Sequence, residues 1–388
     1  MDPRLQKLLE QEEHKQLHTI NLIASENYTS ASVRAPLSSS LSNKYAEGLP
    51  DERLYPGLQF INEIEKLAME RLKQLFKLDD SWIVNVQPLS GAPANLELLT
   101  ALFPLGSKIM MLSHEHGGHM SHGDDGSLIA RIFQVRQYRL NAETALLDYD
   151  QIEKDVAEYR PACLIAGYSC YPRDVDYQRL SQICHRFGAH LHVDIAHVAG
   201  FIAAGLMSSP FAHADSVSST THKTLRGPRG GVLFTKVQVY SGVFPGVQAG
   251  AHCASIAALA QAAYEAQQPQ FVEYMTRTLE MARAAAEYFQ KRGYVVQTGG
   301  TDCHMILVNF PHGSEEKLAN AGIYVNECHM VDGTPGVRIG FQVMSSLGLR
   351  VQDARTVCEI VDGVVRGTCD EARARQLVAS VCSKFVPQ

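Results

Sequence analysis

Between about residue 80 and residue 240, short apolar runs alternate with stretches of helical period, a pattern that few architectures accept. Trp82-Ile83-Val84-Asn85-Val86 predicts a strand, Ser90-Gly91 follows, and Leu96, Leu98, Leu99 and Leu102 mark a helix. Ile109–Leu112, Cys163–Ala166 and His190–Val193 are further strands. Helical segments such as Tyr177–Phe187 lie between several of them, and Val232–Phe234 returns after a Gly/Pro-rich turn. Strands that are apolar along their whole length have both faces covered, which makes the sheet mostly parallel and the class α/β. In such sheets ligands collect at the carboxyl ends of the strands.

A long helical stretch over residues 251–292 separates this region from a smaller α/β part. That part has strand-like Met305–Val308, Ile323–Val325 and Val337–Ile339, plus terminal helices. The expected division is a helical arm over 1–20, a large domain over 21–250, and a linking helix with a small C-terminal domain over 251–388. Leu5, Leu8 and Leu9 share one face of the opening segment, which reads as a docking helix. A chain of 388 residues, 45% hydrophobic, can bury more than one core. A net charge of -6 with no basic run argues against a nucleic-acid surface. No apolar run has membrane-spanning length, and the opening carries no signal-peptide pattern. Nine cysteines without a CxxC pair read as reduced thiols of a cytoplasmic protein.

Two of the predicted strand ends carry chemistry. Ser218–Thr221 is a strand-like run that leads into His222-Lys223 and then a Gly/Pro-rich turn, and Asp194 ends the run at His190. A lysine whose ammonium is destabilised by burial or charge forms a Schiff base with a carbonyl. The carbonyl most often held this way is that of pyridoxal phosphate, whose ring nitrogen needs an acidic partner. Asp194 suits that partner. Ser90-Gly91-Ala92 opens a helix after a strand, where backbone N–H groups suit a phosphate. The histidines at 114, 116, 119 and 122 are dense enough to raise a metal site, but their spacing fits no structural zinc motif and Gly117-Gly118 interrupts any helical register. No metal is expected.

Several ordered segments resemble the serine hydroxymethyltransferase family. They are Asn21-Leu22-Ile23-Ala24-Ser25-Glu26-Asn27, Asn43-Lys44-Tyr45-Ala46-Glu47-Gly48, His116-Gly117-Gly118-His119, Val193-Asp194-Ile195-Ala196-His197 and the segment around Lys223. The resemblance implies a fold-type I pyridoxal-phosphate transferase, aspartate aminotransferase-like. It would make or break the Cα–Cβ bond of serine- or threonine-type amino acids through a glycine carbanion. It assigns the Schiff base to Lys223, ring stacking to His119, and the ring nitrogen to Asp194. His197 and Ser169 go to the phenolic oxygen, and His222, Ser90, Gly91 and Ala92 to the phosphate. Gly250, in the loop from Phe244, would serve the phosphate site of a neighbouring subunit. Arg338 with Ser25 would clamp the substrate carboxylate. Glu47 would exchange the hydroxyl proton, with Tyr45 and Tyr55 beside it, supplied by the partner subunit of a homodimer. The implied partners are an amino acid and an aldehyde, with no nucleic acid or membrane.

The departures from the family pattern cluster at its tetrahydrofolate side. Leu54 stands where the family has the first of two tyrosines, the loop Glu327–Thr334 is short, and Gly340-Phe341-Gln342 replaces a Gly-Thr-Pro run. Ala92 replaces a hydroxyl residue, and Val247 and Ala249 replace glycines. These changes put tetrahydrofolate in doubt. They leave as alternatives a folate-independent threonine aldolase or transaldolase, and an inactive homologue that serves as an oligomer partner.

Overall fold

The structure is a computed structural model of the chain and describes residues 1–386. Its contacts divide the chain into two units: Thr29–Val272, and Met1–Tyr28 joined to Glu273–Gln388. This division differs from the expected boundaries at both ends. Residues 21–28 belong with the C-terminal part because Ile20–Asn21 pairs in parallel with Ile323–Tyr324. The helix Cys253–Ala266 belongs with the large unit.

The large unit is built on seven strands: β1 (Ile83–Asn85), β2 (Lys108–Leu112), β3 (Gln134–Tyr138), β4 (Cys163–Gly167), β5 (His190–Asp194), β6 (Ser216–Thr220) and β7 (Gly231–Thr235). Their order across the sheet is β1-β7-β6-β5-β4-β2-β3, and only β7 runs antiparallel to its neighbours. Every residue of β4, β6 and β7 is buried, as continuous apolar or small-residue runs require. The helix α1 (Gly91–Leu102) packs Ala94 and Leu98 onto Leu233 of β7. Helices α2 (Tyr149–Tyr159) and α3 (Tyr177–Arg186) start where Asp148 and Asp176 accept the Gln151 and Arg179 N–H groups.

The expected single helix over 251–292 is two, Cys253–Ala266 and Pro269–Lys291. Pro269 has no N–H to donate back into a preceding turn, so it starts a helix rather than continuing one. In the second unit an antiparallel sheet of order Asn326–His329, Pro335–Gly340, Met305–Val308 lies in a core that includes Phe289, Ile306, Phe310 and Phe341. The stretch read as a short loop, Glu327–Thr334, is the end of the strand Asn326–His329 and the hairpin tip that follows it, and Gly333 turns the tip at φ +80. The opening helix, Pro3–His18, is capped by Asp2 and buries none of its residues, with Leu5, Leu8 and Leu9 all exposed. Among the described residues no helix is long and apolar enough to cross a membrane.

Candidate active site

In the large unit the predicted residues gather at the carboxyl edge of the sheet. Asp194 is the last residue of β5, paired with Ser218 of β6, and Lys223 is the third residue after β6. Lys223 is only 7% exposed. The turn after it is closed by its own hydrogen bonds: Gly227 N donates to Thr221 O at 2.7 Å and Arg226 N to Lys223 O at 3.0 Å. Thr224 Oγ1 accepts from Gly200 N at 3.0 Å and donates to His197 O at 2.9 Å, which ties this turn to the segment after Asp194. His197 itself is buried.

Asp194 is held by three donors. His122 Nε2 and Asn95 Nδ2 each reach Oδ2 at 2.9 Å, and Ala196 N reaches Oδ1 at 2.9 Å. Burial opposes its ionisation, but these donors outweigh burial and keep the carboxyl well below the usual carboxylate range. His119 is the N-cap of a short turn, and its Nδ1 lies 2.7 Å from Ser121 Oγ. Burial and the nearby His122 push His119 down to about 4, so its ring is neutral. His116 points elsewhere and accepts from Leu140 N at 3.0 Å. Among the described residues no group of His, Cys, Asp or Glu is arranged to hold a metal.

At the neighbouring turn, Ser90 precedes α1 without using its side chain as a cap, and the first N–H groups of that helix, at Gly91 and Ala92, lead it. Gly231 approaches this turn so closely that a Cβ there would lie 2.5 Å from Ser90 O. His222 is neutral because burial, Arg229 and Lys223 push it down to about 3. Its buried Nδ1 has no hydrogen-bond partner among the described residues. Ser169 lies in the loop after β4, its N–H bonded to Gly117 O at 2.8 Å.

A second cluster of the same unit is open to solvent. Tyr45 and Tyr55 donate to the two carboxylate oxygens of Glu47 at 3.1 and 3.0 Å, and their rings meet edge to face at 5.5 Å. The Glu47 bonds push both phenols up. Glu47 is half-buried. Gly250 abuts Tyr45, since a Cβ there would lie 2.7 Å from the ring. Leu54, beside this cluster, is 62% exposed. The backbone here is pinned by Arg53, which pairs with buried Glu65 and donates to Ala46 O at 3.1 Å. In the other unit Arg338 is buried on the central hairpin strand and donates from Nη2 to Asn326 Oδ1 at 2.9 Å. Ser25 is half-buried.

Sequence reasoning gave no role to His122 or Asn95. The His119–His122 spacing and the position of Asn95 one turn into α1 were visible. Their meeting at Asp194 needs the sheet, which brings together residues separated by 72 and 99 positions.

A parallel-sheet edge with a buried lysine after one strand and a charged aspartate ending the next defines the large unit of a fold-type I pyridoxal-phosphate enzyme. The serine hydroxymethyltransferase family model matches residues 1–361. A serine hydroxymethyltransferase of Dehalococcoides mccartyi is 40% identical over 404 residues, which cover 99% of this chain and 97% of that one. Serine hydroxymethyltransferase 2 of Pseudomonas fluorescens is 40% identical, with coverage of 99% and 96%. Serine hydroxymethyltransferase 1 of Pseudomonas aeruginosa is 39% identical with the same coverage. The chain belongs to the serine hydroxymethyltransferase family, whose members are pyridoxal-phosphate-dependent enzymes that make and break carbon–carbon bonds.

Proposed function

We propose that this protein converts serine-type β-hydroxy amino acids to glycine by Cα–Cβ cleavage and passes the one-carbon unit to tetrahydrofolate. The observation that carries the reading is the pair of Asp194, held charged by three donors at the end of one strand, and buried Lys223 just beyond the end of the next. The donor set fits the cofactor. Asp194 offers an ionised acceptor for a pyridine N–H, and the lysine amine suits an aldehyde carbon. The start of α1, Ser90 with its side chain not used as a cap, and the His222 Nδ1 that has no hydrogen-bond partner among the described residues together suit a phosphate.

When bound, pyridoxal phosphate supplies the electron sink that accepts the charge left on Cα. Lys223 would hold its aldehyde carbon, and Asp194 would keep the ring nitrogen protonated. His119, neutral, would lie against the ring, and His197 and Ser169 would serve the phenolic oxygen. Ser90, Gly91, Ala92 and His222 would take the phosphate. Arg338, aided by Ser25, fixes the substrate carboxylate through parallel N–H donors and so selects which Cα bond breaks. Glu47 accepts the β-hydroxyl proton as Cα–Cβ cleaves, with Tyr45 and Tyr55 orienting its carboxylate. The exposure of Tyr45 and Tyr55, 56% and 44%, supports their use by a second copy in a homodimer, with Gly250 beside them. We place the enzyme in the cytoplasm.

A second reading, cleavage of serine or threonine without folate, is favoured by exposed Leu54 at the cluster. One assay separates the two: glycine formed from serine by the holoenzyme, with and without tetrahydrofolate. Glycine formation that depends on tetrahydrofolate supports hydroxymethyl transfer. Equal rates with and without it support the second reading. No glycine under either condition overturns both.

A further inference from the structure

Behind Asp194 lies a line of buried polar side chains that the reaction itself does not use. On β5 alternate residues face the same side, so His190, His192 and Asp194 share one face, and Ser216 and Ser218 of β6 stand beside them in register. His190 Nε2 lies 2.7 Å from Ser216 Oγ, and Ser216 Oγ lies 2.9 Å from His192 Nδ1. His192 Nε2 lies 3.1 Å from Ser218 Oγ and 3.3 Å from Asn95 Oδ1, and Ser218 Oγ donates to Asn95 Oδ1 at 2.7 Å. Asn95 Nδ2 then donates to Asp194 Oδ2 at 2.9 Å.

The direction of every link follows from its end. An ionised carboxylate only accepts, so Asn95 turns its amide N–H to Asp194 and its carbonyl to Ser218 and His192. That carbonyl needs donors, which puts the His192 proton on Nε2 and leaves Nδ1 to accept from Ser216. The Ser216 oxygen then accepts from His190. One imidazole tautomer therefore satisfies the whole line, and all its donors point toward Asp194. Both imidazoles stay neutral, because burial pushes His192 down to about 3 and lowers His190 as well. The charged and titratable groups that act on His192 are Asp194, His190 and His122, and those that act on His190 are Asp215, His185 and Lys236.

We propose that His192, with Ser216 and His190, is a positioning element: a one-directional hydrogen-bond chain that polarises Asn95 and holds Asp194 aimed and charged against the cofactor's ring nitrogen. Links in such a chain strengthen one another in a buried setting, and its far end, half-buried His190, lies at the opposite edge of the sheet from Lys223. The proposal rests on the reading of Asp194 as the ring-nitrogen partner.

The test uses the holoenzyme and four variants. His192→Leu removes the acceptor and the donor at once. His192→Gln restores both kinds of group on one side chain. Ser216→Ala breaks one link with almost no change of volume. Asp194→Ala is the control for the underlying reading. Pyridoxal-phosphate affinity and the pH dependence of the bound cofactor's visible band are measured beside the urea midpoint of the cofactor-free protein. We expect His192→Leu and Ser216→Ala to weaken cofactor binding by roughly five- to tenfold and to displace the pH midpoint of the band. His192→Gln should recover most of the affinity. Wild-type affinity and spectrum in Ser216→Ala and in any folded His192→Leu overturn the proposal. So does a His192→Gln variant as weak as His192→Leu at an unchanged urea midpoint. Should His192→Leu not fold, Ser216→Ala decides alone. If Asp194→Ala keeps wild-type affinity and spectrum, the reading of Asp194 fails instead.

Discussion

Replacing Glu97 by glutamine should remove one pH-dependent loss of stability. Glu97 lies on α1 with its side chain fully buried. Oε2 accepts from Gln248 Nε2 at 2.6 Å, and buried Oε1 has no partner among the described residues. Burial pushes the carboxyl up to about 7, against the opposing pull of the Gln248 bond. The folded chain thus holds this proton more tightly than the unfolded chain, whose ordinary value is near 4.5. Its contribution is fully present below about pH 4.5 and is lost as pH rises to about 7, a loss on the order of 3 kcal/mol. The Glu97→Gln variant is neutral throughout and has no such loss. It carries a pH-independent cost of about 1–3 kcal/mol, because its amide N–H falls where Oε1 has no partner. The diagnostic quantity is therefore the change with pH of the difference between the two proteins. The depressed histidines at 119, 192 and 222 titrate in both and cancel. Urea unfolding followed by fluorescence reads the right unit, since the sole tryptophan, Trp82, is buried in the same unit as Glu97. We expect the variant to gain about 3 kcal/mol on the wild type between pH 4.5 and 7.5. A difference that stays flat over that range would falsify the account of a neutral buried carboxyl.

Lys223→Ala should abolish glycine formation from serine and the visible band of the bound cofactor; turnover at the wild-type rate would rule out its role. Arg53→Met leaves Glu65 buried without its charge partner and should cost about 3–5 kcal/mol, read as a lower urea midpoint, with Glu47 activity falling as its loop loosens. Leu54→Tyr should strengthen tetrahydrofolate binding severalfold if the acceptor reading is right, measured as the folate KM of serine cleavage. An unchanged KM would remove Leu54 from that edge.

The strands of the large sheet, Asp194 and the turn at Lys223 were legible because each signal is local: an apolar run, then a polar group, then a turn. The pairing of Ile20–Asn21 with Ile323–Tyr324 was not, since a two-residue strand has no periodicity and its partner is some 300 residues away. The hairpin tip at Asp332-Gly333 carried a recognised turn signal, which the comparison of loop length overshadowed. The break at Pro269 was equally local and was hidden by the strong helical pattern on both sides. His122 and Asn95 were beyond reach because contact at a site depends on which strands are neighbours, and the order β5-β6-β7 follows from the whole sheet.

The two buried carboxyls of the large unit show why burial alone does not decide charge. Asp194 and Glu97 are both shielded from water, and burial penalises the ionised form of each. Asp194 meets three donors, one of them a histidine N–H, another an amide that is itself polarised from behind. Glu97 meets one, the Gln248 amide, and its Oε1 has no hydrogen-bond partner among the described residues. The count of donors therefore leaves one carboxyl charged at the sheet edge and the other protonated up to about pH 7. Gln248 also accepts from Asn85 at 3.1 Å, Asn85 accepts from Gln87 N, and Gln87 donates to Glu65, the partner of Arg53. A neutral Glu97 thus ends a polar line that begins at the Glu47 loop. Arg53 is already paired with Glu65, so a second full charge at Glu97 would gain little from it, and the protonated form suits the line.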